Sequence, residues 1–155
     1  MITPAHRDLE DEILFASRIM VNILAESMMR AGVDGISAPQ FRILDTVYHG
    51  TDKPADVAKM LDVSPPAITW ILEKLENMGF LERGHTKSDR RRIVLGLTET
   101  GKDVVRKVNT HRRDLLGKVL DGMKDREINQ LEHALVAFSD SYVNLKEQQR
   151  SVANA

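Results

Sequence analysis

Five basic side chains crowd into ten residues: Arg83, Lys87, Arg90, Arg91 and Arg92 share the stretch 83–92 with one acid, Asp89. The whole chain has a formal charge of -1, so this segment is an isolated positive pole on an otherwise acidic or neutral polymer. Local charge, not net charge, sets where a phosphate backbone can dock. Guanidinium groups on a short loop suit phosphates and the narrow, electronegative minor groove of double-stranded DNA. Asp89 stands two residues before Arg91 and can pair with it, which limits the loop's freedom. For Arg90 and Arg92 the alternative reading is a solvated charge run, and for Arg92 the two readings weigh equally. Just upstream, Ile68, Ile71, Leu72 and Leu75 recur at helical spacing and define a buried side. Pro66, Trp70, Glu73 and Asn77 then point outward, with Thr69 and Lys74 on the flanks. Ser64, Thr69 and Lys74 carry the groups for phosphate contacts, which position a protein without reading sequence. Trp70 is the only tryptophan. An indole cannot make the two-pronged contact of arginine with guanine, but it can touch a thymine methyl group or a sugar. The alternative is that it packs against the hairpin or a neighbouring helix.

These side chains need elements to hold them. Leu9, Ile13, Ala16, Met20 and Ile23 alternate spacings of four and three, and Leu14, Phe15, Ile19, Leu24 and Met28 widen the stripe. This predicts a long first helix, ended by Gly32 and Gly35. Ser37 and Pro39 open a second helix that stops at Gly50. A short helix is expected from about Pro54 to Leu61, with a tight turn at Asp62 and Val63. Ser64 is expected to cap the next helix, with Pro65 in its first position, running to Met78 and ending at Gly79. A strand from Phe80 to Arg83, a polar loop from Gly84 to Arg91 and a strand from Arg92 to Leu97 follow. In the second strand Ile93, Leu95 and Leu97 alternate inward. Thr98 caps a long helix, Asp121 and Gly122 interrupt it, and a last helix carries Ile128, Leu131, Leu135, Phe138, Tyr142 and Leu145. The fold class is therefore mainly α with a small β-hairpin. The terminal helices have little globular chain to cover their apolar stripes, which points to a partner chain in a homodimer, the alternative being a self-contained bundle.

Several functions are excluded. With no cysteine among 155 residues there is no disulfide, thiolate metal site or cysteine nucleophile. The five histidines (His6, His49, His85, His111 and His133) form no His-x-x-x-His pair, so no metal site is expected. There is no glycine-rich phosphate loop or nucleophile elbow, and no enzyme activity or cofactor is expected. Glu10, Asp11 and Glu12 read as first-turn charges that complement a helix dipole. No apolar run is long enough for a membrane span, and residues 1–12 do not resemble a secretion signal, so a cytoplasmic location is expected.

The stretch from Ser37 to Gly101 resembles the multiple-antibiotic-resistance regulator (MarR) family. The matching residues are Ala38 to Leu44 (Ala-Pro-Gln-Phe-Arg-Ile-Leu), Asp56 to Leu61, Val63, Ser64, Ile68, Thr69 and Leu75 to Arg83. The most specific piece is Asp89-Arg90-Arg91 followed by Leu97-Thr98-Glu-Thr-Gly101. The resemblance implies a winged helix-turn-helix DNA-binding domain over 37–98, with a recognition helix at 64–78 and a basic wing at 84–92. Residues 1–36 and 99–150 would be the dimerisation helices. It implies a ligand-responsive repressor that binds a pseudo-palindromic operator as a homodimer. Arg91 would enter the minor groove and Asp89 would orient the wing. Trp70 departs from the family, which usually carries a base-contacting arginine there. The family senses small, often aromatic anions, and Tyr48, His49 and His111 are the candidates to face such an effector. His111, between Val104, Val108 and Leu115 on one helical face, also reads as a hydrogen-bonded interface histidine. The hydroperoxide-sensing mechanism of one branch needs a cysteine that this chain lacks. A different class of function would be a winged helix used only for protein contacts, against which the basic wing argues.

Overall fold

The computed structural model describes residues 4–85 and 93–153. In chain order it contains α1 (Pro4–Arg30), α2 (Ala38–Tyr48), α3 (Pro54–Leu61), α4 (Pro65–Asn77), β1 (Leu81–His85), β2 (Ile93–Leu97), α5 (Glu99–Asp121) and α6 (Asp125–Ala153). The chain divides into two units, Met1–Asp114 and Leu115–Ala155, with the division inside α5.

Local chemistry sets the helix ends. Ser37 and Gln40 form a reciprocal capping box on α2: the Ser37 hydroxyl accepts from the Gln40 N–H at 3.4 Å, and the Gln40 side chain accepts from the Ser37 N–H at 2.8 Å. After α4 the chain turns through Gly79 at φ +75°. There the Phe80 N–H reaches back to the Leu75 carbonyl and the Gly79 N–H to that of Glu76, a Schellman ending. The α3–α4 turn places a non-glycine residue, Asp62, in the left-handed region at φ 56°. Aspartate tolerates this better than most residues, so the turn stays tight without glycine.

The core lies in the first unit. Phe41, Ile43 and Leu44 of α2, Val57 of α3, Leu72 and Leu75 of α4, and Val105 and Val108 of α5 are all nearly inaccessible. Leu81, Leu95 and Leu97 close it from the hairpin side. The two strands are antiparallel, pairing Leu81 with Leu97 and His85 with Ile93. Beyond its partner strand, β2 is tied to the α2–α3 loop by the Leu95 N–H, which donates to the Asp52 carbonyl at 2.7 Å.

Two strand expectations need correction. β1 starts one residue late and runs on through Gly84 and His85, because these pair across the hairpin with Val94 and Ile93. Ile93 does not face inward: it is 42% exposed, whereas Leu95 and Leu97 are buried. It stands at the last described pair of the ladder, past the edge of the core.

The long helices retain wide apolar exposure. Among the residues of α1 from Arg7 onward, only Ile23, Ser27 and Met28 are buried, while Leu9, Leu14, Phe15 and Met20 are open. On α6, Leu135, Phe138, Tyr142 and Leu145 are exposed along most of its length.

Candidate nucleic-acid interface

The interface begins at the start of α4. Ser64 stands at the N-cap with extended backbone, but its side chain makes no capping hydrogen bond, contrary to the expected cap. Pro66 at the second helical position has no N–H, which leaves the Ala67 N–H at the third as the remaining cap donor, and the Ser64 side chain does not take it. The helix start is set instead by proline rings whose φ is already helical, and by the Ile68 N–H donating to the Ser64 carbonyl at 3.0 Å. The Ser64 hydroxyl is therefore not consumed by the helix.

Ile68, Leu72 and Leu75 bury one side of α4, with Ile71 half-buried beside them. Pro66, Thr69, Trp70, Glu73, Lys74 and Asn77 are exposed on the other sides, as the spacing predicts. The Thr69 hydroxyl donates back to the Pro65 carbonyl at 3.0 Å. Trp70 is 63% exposed, so it is not a packing residue of the described core. The Lys74 Nζ lies 5.6 Å from its ring centroid, a cation–π contact one helical turn away.

The hairpin base is anchored to this helix. Arg83 Nε donates to Glu76 Oε2 at 2.9 Å, both side chains being less than a third exposed. Arg83 is thus a strut between β1 and α4, not a free cation of the wing. At the other side of the hairpin, the Thr98 hydroxyl donates to the Gly79 carbonyl at 2.7 Å and accepts from the Gly101 N–H at 3.0 Å. One side chain therefore caps α5 and holds the α4–β1 turn. Gly101 packs on that turn: a Cβ there would lie 2.0 Å from the Phe80 carbonyl oxygen. The Leu-Thr-x-x-Gly pattern thus has a structural cause. The wing candidates Lys87, Asp89, Arg90 and Arg91, with Arg92, lie outside the described residues.

The effector candidates are only partly brought together. The rings of Tyr48 and His49 meet edge to face at 5.4 Å, and His49 Nδ1–H donates to the Asp45 carbonyl at 2.7 Å. Tyr48 borders a cavity of about 170 Å³ with Val47, Leu95 and Lys102. His111 is half-buried on α5 and lines neither this cavity nor a larger one of about 260 Å³. The larger cavity is lined by Asp34, Phe80, Thr100, Asp103, Val104 and Lys107, among others. No sequence motif marks it, because its walls come from the α1–α2 loop, the α4–β1 turn and α5. Between α2 and α5, Asn109 donates to Asp45 Oδ1 at 2.7 Å and accepts from Arg112 at 3.1 Å. Among the described residues no group of three or more histidine and carboxylate side chains is placed to hold a metal ion.

Comparison with known proteins gives a consistent answer. The model of the MarR family matches residues 36–93. The HTH-type transcriptional repressor MdtR of Bacillus subtilis is 30% identical over 128 residues, covering 79% of this chain and 81% of its own. The crystal structure of Rv1404 from Mycobacterium tuberculosis superposes with a TM-score of 0.76 at 30% identity, covering 90% of this chain and 96% of that one. Streptococcus pneumoniae FabT, solved in complex with DNA, superposes with a TM-score of 0.76 at 25% identity, covering 88% of this chain and 99% of its own.

Proposed function

We infer, from the premise that the chain belongs to the MarR family, that it is a DNA-binding transcriptional regulator acting as a homodimeric, ligand-responsive repressor. The observation that carries this reading is α4 itself. It is held from behind by three core residues, braced by the Arg83–Glu76 pair, and presents Pro66, Thr69, Trp70 and Lys74 to the outside. Such a helix enters the major groove with its N-terminal residues toward the base edges. Ser64, Thr69 and Lys74 would then contact phosphates. The wing, through Lys87, Arg90 and Arg91, would enter the neighbouring minor groove, with Asp89 holding Arg91 in place.

The exposed stripes of α1 and α6 supply the apolar surface for a second copy, with residues 1–36 and 99–150 as the dimerisation helices. A two-fold dimer places two recognition helices on half-sites about 34–36 Å apart, so the operator is pseudo-palindromic. An effector that changes this spacing releases one half-site. We place such an effector, a small aromatic or other anion, near Tyr48, His49 and His111. The named relatives are regulators, which favours regulation over catalysis. Among the described residues no helix is long and apolar enough to cross a membrane, and a regulator of DNA belongs in the cytoplasm.

A mobility shift with the DNA upstream of the protein's own gene tests this reading. A discrete complex that survives competitor DNA is the expected result. No complex at low salt, with folded dimer present, would leave the winged helix as a protein-interaction module.

A further inference from the structure

A recognition helix reads bases with the groups that its first turns turn outward, and beyond the Ser64 hydroxyl, assigned above to a phosphate, those groups are poor in donors here. Pro65 and Pro66 have no N–H, and Ala67 offers only a methyl side chain. The Thr69 hydroxyl proton is already given to the Pro65 carbonyl, leaving an acceptor and a methyl group. Next comes Trp70, 63% exposed, an apolar plate that the core does not use. Its single indole N–H can meet any lone base acceptor and so cannot tell one base pair from another. Lys74 over the ring limits the indole's rotation and brings a positive charge beside it. Apart from Thr69, the polar exposed residues of α4, namely Glu73, Lys74 and Asn77, fall in the second half of the helix.

On the major-groove edge of DNA, the C5-methyl of thymine is the apolar group that distinguishes a base pair. We propose that Trp70, flanked by Pro66 and Thr69, reads thymine methyl groups in each half-site, so that this regulator selects its operator by apolar contact where a two-pronged arginine–guanine contact would otherwise serve. The proposal rests on the DNA-binding reading above. The flat indole covers one or two methyls on neighbouring bases, while Lys74 is placed to reach the adjoining phosphate.

The test separates the two readings. The full-length wild-type dimer is used to select binding sites from a randomised duplex pool. The enriched duplex is then remade with uracil for thymine, position by position, and binding is measured for wild type and Trp70→Ala. Removing one buried methyl should raise the wild-type Kd about four-fold at one or two positions per half-site. The same replacements should leave the Kd of Trp70→Ala unchanged. Trp70→Gln, which keeps an N–H donor on an extended side chain but loses the apolar plate, provides the same comparison should the alanine variant fold poorly. Methyl removal without effect on wild type, or with equal effect on wild type and variants, overturns the proposal while leaving specific DNA binding intact. Failure of the wild type to enrich any sequence overturns the DNA-binding reading, and this proposal with it.

Discussion

Ser37 and Ser64 each stand at a helix start, yet only Ser37 caps in the chemical sense. Ser37→Ala removes one half of a capping box and should cost about 1 kcal/mol, a fall in Tm of about 2–4 °C on a chain of this size. Ser64→Ala removes no hydrogen bond from the helix and should leave the melting curve nearly unchanged while weakening DNA binding through a lost phosphate contact. Equal thermal losses in both variants would contradict this division. The sequence pattern could not separate them, because both read as serine before a helix containing proline. Both helices carry proline at the second position, and they differ in whether the serine takes the third-position N–H, as Ser37 does and Ser64 does not. For the wing, Arg91→Ala should weaken binding to the selected operator by about 1–3 kcal/mol with dimerisation unchanged, read by anisotropy and sedimentation. An unaltered affinity would remove Arg91 from the interface.

At the scale of elements, helices were more legible than strands. The bounds of α3 and the end of α4 follow from prolines, periodic leucines and a glycine, all within one turn of the residues they affect. The extent of β1 and the exposure of Ile93 depend on cross-strand pairing and on where the core ends, which neighbouring residues do not encode. The same holds for Arg83, which counts as one more cation in a basic segment until its partner Glu76, seven residues earlier on α4, is seen. Gly101 shows how a motif residue acts through packing. Its missing Cβ lets α5 approach the Phe80 carbonyl, so Gly101→Ala must push α5 from the α4–β1 turn. We expect a loss of about 1–3 kcal/mol or more in chemical denaturation, with DNA affinity reduced because the base of the wing is displaced. A variant as stable as wild type would show that the turn yields freely.

For the whole molecule, the exposed faces of α1 and α6 offer apolar surface to a second copy. Phe138, on α6, is 56% exposed in the single chain. Phe138→Glu should convert the dimer to monomer in sedimentation velocity and abolish high-affinity operator binding, since one half-site cannot hold the protein alone. A dimer that persists in that variant would move the interface elsewhere. The amphipathic spacing of these helices was plain in the sequence. The two described cavities were not, because they draw their walls from separated segments. The most direct measurement of the central claim is a titration of the folded dimer against a duplex from upstream of its own gene, repeated at rising salt. The account predicts saturation at two chains per duplex and an affinity that falls steeply as salt increases, because basic side chains displace counterions from phosphates. Absence of saturable binding even at low salt would contradict it.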